Sequence, residues 1–142
     1  MTHKIKTILL VDDDHDDQLL FQEALSEADN SILFQSACNG VDALEKLNFA
    51  ENDMPDLIFM DVNMPKMNGI DCLIEIKKSE KLKMLPVMMY STSSFSQYQK
   101  ECFDHGAIDY IVKPDDYGRL CDTLKNIINS ELPISSKKPI AL

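Results

Sequence analysis

Four short stretches of the chain hold side chains able to do chemistry. Asp12-Asp13-Asp14 ends one apolar run, Asp61 ends a second, Ser91-Thr92 follows a third, and Lys113-Pro114 follows a fourth. Carboxylates brought together repel, and each makes the other costlier to ionise. A divalent cation removes that cost. A few carboxylates completed by water and phosphate oxygens suit Mg²⁺ better than Ca²⁺, which takes more protein ligands. A carboxylate beside such an ion is also a nucleophile for phosphorus, giving an aspartyl phosphate. The ion shields the incoming phosphoryl group from the surrounding acids, while a lysine neutralises one remaining oxygen and a hydroxyl bonds another. Asp61 as nucleophile, Asp12 and Asp13 beside it for the ion, Lys113 and Ser91 make up that set. Each member also has a plainer reading. The acids from Asp12 to Asp17 suit a solvated loop that caps a helix. Lys113 alone suits a surface lysine at a strand end, and Ser91 alone a loop residue. The readings separate on whether the chain brings the four stretches to one rim.

The elements needed to do so are legible. Thr7 to Val11, Ile32 to Ala37, Asp56 to Met60, Pro86 to Tyr90 and Asp109 to Val112 read as strands. Continuous apolar runs of this length suit strands buried on both faces, as in a parallel sheet. Helical stripes lie between them. Phe21, Ala24, Leu25 and Ala28 recur at helix spacing, Val41, Ala43, Leu44 and Leu47 follow Gly40, and Ile70, Leu73 and Ile74 follow Gly69. A polar helix from about Ser96 to His105 stops at Gly106, and Leu120, Leu124, Ile127 and Ile128 form the last, with Pro133 beyond as a breaker. The order is strand then helix, five times, which predicts an α/β fold with a parallel sheet and helices on both faces. In such sheets ligands bind outside the carboxyl ends of the strands. Those ends are where Asp12, Asp61, Ser91 and Lys113 fall.

With the residues so placed, four spaced signatures resemble the receiver domain of two-component response regulators. They are Ile8 to Asp14, then Asp61-Val62-Asn63-Met64-Pro65-Lys66-Met67-Asn68-Gly69, then Pro86 to Ser91, then Gly106 to Pro114. The resemblance covers residues 7–131 and implies a flavodoxin-like doubly wound sheet in the order 2-1-3-4-5. It implies that Asp61 is the phospho-acceptor, that Asp13 binds Mg²⁺ directly and Asp12 through water, and that Asn63 lends its backbone carbonyl. Ser91 and Lys113 would hold the phosphoryl oxygens, with Ser91 and the aromatic Tyr110 acting as the switch. It further implies a cis peptide between Lys113 and Pro114. The phosphoryl donor would be a sensor histidine kinase or a phosphotransfer protein. The output would be docking to a downstream protein or onward relay, with a homodimer through the fourth helix, fifth strand and fifth helix as a further expectation. Two positions depart from the family pattern. Ser91 stands where Thr is commoner, and Asp115-Asp116-Tyr117 follows Lys113-Pro114 where Phe is usual, which puts the entry to the last helix in question.

Composition narrows the alternatives. At 142 residues the chain suits one domain, with a receiver expected at 7–131, short tails at 1–6 and 132–142, and no output domain. Its 24 acidic against 14 basic residues give a net charge of −10, which disfavours nucleic acid and anionic membranes as partners. No apolar run is long enough for a membrane span. Cys38, Cys72, Cys102 and Cys121 form no CxxC pair, so zinc is not indicated and a reducing cytoplasm is the expected setting. His3, His15 and His105 match no metal spacing. A flavodoxin-type small-molecule binder would need a Ser/Thr/Gly-rich phosphate loop after the first strand, where three acids stand instead. A phosphatase with an Asp nucleophile would place a second acid at position 63, which is Asn. A degenerate receiver acting only as an interaction module would not keep the full acid, hydroxyl and lysine set. The chain is therefore expected to be no enzyme beyond its own Mg²⁺-dependent phosphoryl transfer and autodephosphorylation.

Overall fold

Apolar side chains alternate to the two faces of each central strand, and this decides the architecture. In the computed structural model, which describes residues 4–49 and 53–130, the elements are β1 (Thr7–Val11), α1 (His15–Ala28), β2 (Leu33–Ala37), α2 (Gly40–Phe49), β3 (Leu57–Met60), α3 (Gly69–Lys78), β4 (Val87–Ser91), α4 (Ser96–Asp104), β5 (Asp109–Val112) and α5 (Tyr117–Asn129). Ile8, Leu10, Leu57, Phe59, Met88 and Tyr90 pack with Phe21, Leu25, Leu120 and Leu124 of α1 and α5. Leu9, Val11, Ile58, Met60, Val87 and Met89 pack with Ala43, Leu47, Leu73, Ile76 and Cys102 of α2, α3 and α4. A period of two thus buries both sides of the sheet. Phe21, Phe59 and Tyr90 meet edge-on at 5.0 to 5.9 Å between ring centroids, which locks the first layer. The strands are all parallel in the order β2-β1-β3-β4-β5. The order reverses between β1 and β3, so the carboxyl ends of these neighbours flank the crevice where such folds bind ligands.

Three strands differ from the sequence expectation by a residue at one or both ends. β3 starts at Leu57; just before it the Asp56 N–H donates to the Thr7 carbonyl at 2.8 Å, and its carboxylate accepts the backbone N–H groups of Lys6 and Thr7 at 2.8 and 3.0 Å. β2 starts at Leu33. β4 runs on to Ser91, which pairs with Val112. The Asp115-Asp116-Tyr117 departure is an N-terminal cap: the Asp116 carboxylate accepts the Gly118 N–H at 2.9 Å and α5 begins at Tyr117. One expectation is corrected. The Lys113–Pro114 bond is trans, as is every peptide bond among the described residues. Trans is favoured before proline by about 0.5–1 kcal/mol, and the Lys113 ammonium reaches its partners without the cis turn. Residues 1–3, the tail from 132 and the Pro133 stop lie outside the described residues.

Candidate functional site

The strand ladder runs one residue past β1 and β3 and so fixes two acids side by side. The Asp12 N–H donates to the Ala37 carbonyl at 3.0 Å, and the Asp61 N–H donates to the Val11 carbonyl at 2.9 Å. Both side chains are buried, while Asp13 is exposed. From the far side, the Lys113 N–H donates to the Ser91 carbonyl at 2.7 Å, which anchors the lysine at the end of β5. Its Nζ then donates to Asp12 Oδ2 at 2.7 Å, Asp17 Oδ2 at 2.8 Å and Asp61 Oδ2 at 3.3 Å. The ammonium also lies 5.3 Å from the Tyr90 ring centroid, a cation–π distance. The four stretches therefore meet at one rim.

One ammonium among several acids holds its own charge but does not balance theirs. Burial disfavours the Lys113 charge, yet the hydrogen bonds it donates to Asp12 and Asp17, with the charges of Asp12 and Asp61, outweigh it and raise its pKa. Burial pushes Asp61 up to about 6, with Lys113 opposing and Asp12 adding to the rise. Burial raises Asp12 as well, against the hydrogen bond from Lys113. Carboxylate oxygens of Asp12, Asp13 and Asp61 all lie within 4.8 Å of one another. A hard, all-oxygen donor set with surplus negative charge is compatible with a divalent cation. Asp12 is already committed, since Oδ1 accepts the Asp14 N–H at 2.9 Å and Oδ2 accepts Lys113. That commitment fits an acid that reaches an ion through water.

The loop after β3 is shaped around Asp61. A Cβ on Gly69 would stand 1.9 Å from the Asp61 carbonyl oxygen, so only glycine permits this approach of α3 to the acid. Lys66 turns the loop with a φ of 67°, the left-handed region that a lysine rarely adopts. Asn63 lies exposed in this loop, two residues beyond Asp61. Ser91 is fully buried, and its Oγ accepts the Ser93 N–H at 3.2 Å. The Tyr110 ring is turned inward and its hydroxyl donates to the Ser93 carbonyl at 2.8 Å. The two residues expected to form a switch thus converge on Ser93 in the β4–α4 loop.

Asp17 is a site residue that the sequence reading left within the acidic cap. Its signal was position: with Asp14 as N-cap, Asp17 is the third residue of α1, whose acid side chain commonly reaches back to the cap N–H. Here it turns to Lys113 instead, 96 residues away.

With this geometry in hand, the chain is a receiver domain. The family model for the response regulator receiver domain matches residues 8–125, and the chain belongs to that family. It is 37% identical over 107 residues to the two-component response regulator ORR13 of Oryza sativa subsp. japonica, covering 75% of this chain and 85% of the rice protein. It is 32% identical over 137 residues to histidine kinase P4 of Formosa agariphila, covering 96% of this chain but only 10% of that kinase. Among solved structures, the phosphorylated cyanobacterial phytochrome response regulator RcpA superposes with a TM-score of 0.79 at 33% identity, over 87% of this chain and 91% of that one. The Mn²⁺-bound form of response regulator Rcp1 superposes with a TM-score of 0.78 at 28% identity, over 90% and 99%. Among the described residues, no helix is long and apolar enough to cross a membrane.

Proposed function

We propose that Asp61 accepts a phosphoryl group from a phosphohistidine of a sensor histidine kinase or phosphotransfer protein, and that the chain acts as a phosphorylation-controlled switch or relay. The observation that carries this reading is the buried Asp61 carboxylate, 3.3 Å from the Lys113 ammonium and within 4.8 Å of Asp12 and Asp13. A carboxylate oxygen of Asp61 forms the new bond to phosphorus. The bond from phosphorus to the donor imidazole nitrogen breaks, its electron pair stays on that nitrogen, and the nitrogen is reprotonated from solvent. Asp12, Asp13 and Asp61, with the backbone carbonyl of Asn63, would hold Mg²⁺, which when bound offsets charge on the phosphoryl oxygens. Lys113 holds one of those oxygens and the Ser91 hydroxyl bonds another. Water attack on the phosphorus returns Asp61 to its free form, so the chain turns over only its own phosphate. The four free thiols suit a reducing cytoplasm. Exposed Phe95, Phe103 and Val112 beside α4 and β5 offer a face to a downstream protein or a second copy.

The test is incorporation of phosphate from phosphoramidate with Mg²⁺, followed by intact mass. The wild type gains one base-labile phosphoryl group and Asp61→Asn gains none. Label that persists in Asp61→Asn would refute the assignment of the acceptor.

A further inference from the structure

We propose that Asp17 is a positioning residue for phosphoryl transfer, the tether that keeps Lys113 aimed into the site once the other acids are engaged. The proposal rests on the reading of Asp61 as acceptor and adds to it a residue outside the acceptor, ion and switch set. An ammonium has three protons to donate, and here they go to Asp12, Asp17 and Asp61. The acids whose oxygens could share an ion are Asp12, Asp13 and Asp61. Asp17 stands apart from that trio. When an ion draws on the charge of Asp12 and Asp61, Asp17 is the partner left wholly to Lys113.

The geometry suits a tether. The Asp17 N–H donates to Asp14 Oδ1 at 3.1 Å, so the helix cap fixes the backbone from which the carboxylate projects. The Lys113 side chain is 9% exposed and that of Asp17 35%, so the contact lies at the mouth of the pocket and draws the ammonium along the rim. A lysine stem has four carbons and high rotamer freedom, and a second fixed partner removes much of it before the phosphoryl group arrives. Asp17 touches neither Asp61 nor phosphorus in this scheme and acts through Lys113.

Asp17→Asn keeps the shape and removes the charge. With phosphoramidate and saturating Mg²⁺, its labelling rate is expected to fall by up to about tenfold, because the amide that replaces the carboxylate holds the ammonium without charge assistance. Mg²⁺ affinity, read from melting temperature against Mg²⁺ concentration, should stay within about twofold of the wild type, because the ion's acids are untouched. Asp17→Glu should recover most of the rate. In a Lys113→Met background Asp17→Asn should cost nothing further, both in labelling and in the urea midpoint of the metal-free protein. An unchanged rate in Asp17→Asn, or an equal loss in the Lys113→Met background, overturns the tether. A Mg²⁺ affinity lowered tenfold or more overturns it too, by making Asp17 part of the ion site. Asp61→Asn run alongside separates the failures: if it is silent while Asp17→Asn labels normally, only the tether falls, whereas label in Asp61→Asn removes the acceptor reading beneath it.

Discussion

At the scale of single residues, the site is built against its own stability. Burial raises Asp61 to about 6 despite the lysine beside it. A carboxyl whose folded pKa lies above its unfolded value contributes stability that is full below the unfolded pKa and is lost as pH rises through the folded one. For Asp61 that window runs from the ordinary aspartate value of 3.8 to about 6, and Asp12 shifts in the same direction. The metal-free protein should therefore lose stability across this window, and Asp61→Asn at pH 7.5 in EDTA should be more stable by on the order of 1–2 kcal/mol. Urea melts of the two proteins decide it, and a less stable Asp61→Asn would show that the Lys113 contact outweighs burial. Lys66 is a second such residue. Its φ of 67° strains any side chain with a Cβ, so Lys66→Gly should be stabilising by up to about 1 kcal/mol through relief of the left-handed turn. The same urea melts measure it. Neither effect is visible in sequence, because one depends on how deeply an acid sinks and the other on a single backbone angle.

At the scale of elements, what could be read beforehand is what hydrophobic period encodes. The strands and helices, and the placing of Asp12, Asp61, Ser91 and Lys113 at strand ends, follow from apolar runs and stripes alone. The strand order came with the family resemblance, since periodicity does not state which strands are neighbours. Two details that apolar period does not encode fall where a polar side chain meets backbone: the Asp56 carboxylate accepts two N–H groups just before β3, and Asp116 starts α5 as its cap. The expected cis bond at Pro114 failed because nothing local requires it; the lysine reaches its acids from the trans backbone. Asp17 was hidden because a partner 96 residues away leaves no mark on local pattern. Gly69, which precedes the third helical stripe in the sequence, proves to be the contact by which α3 rests on the Asp61 backbone. A methyl there meets that carbonyl at 1.9 Å. Backbone cannot swing aside as a side-chain tip does, so Gly69→Ala should cost at least 1–3 kcal/mol and displace the acceptor loop. Reduced labelling together with a lowered urea midpoint is the expected result. A fully stable, fully labelled Gly69→Ala would mean that α3 can retreat from the site without consequence.

At the scale of the whole molecule, the question is which part moves when Asp61 changes state. Most of the chain is held between two well-filled layers. Among the helices α4 is the exception, since Cys102 is its one buried residue and its N-cap, Phe95, makes no side-chain capping bond. Elements with few buried contacts open and shift at the lowest cost. The link to that helix is short: Ser91 Oγ and the Tyr110 hydroxyl both bond the backbone of Ser93, two residues before Phe95. Under the proposed function, an acyl phosphate on Asp61 would compete for the Ser91 hydroxyl, loosen its bond to the Ser93 N–H and so change what Tyr110 can hold. A ligand need only favour one of two arrangements by a few kcal/mol to shift their populations. Beryllofluoride with Mg²⁺ supplies an acyl-phosphate mimic without a donor protein. Amide shifts should spread from residues 61–69 to 91–98 and 106–117, while β2, at the opposite edge of the sheet from β5, stays nearly still. Asp61→Ala should lose all of these shifts, and Tyr110→Phe, which cannot donate to Ser93, should keep those at 61–69 but weaken those at 91–98. Shifts confined to the neighbourhood of Asp12, Asp13 and Asp61 would instead make the domain a phosphate sink, able to receive and hydrolyse the group without passing the change to α4.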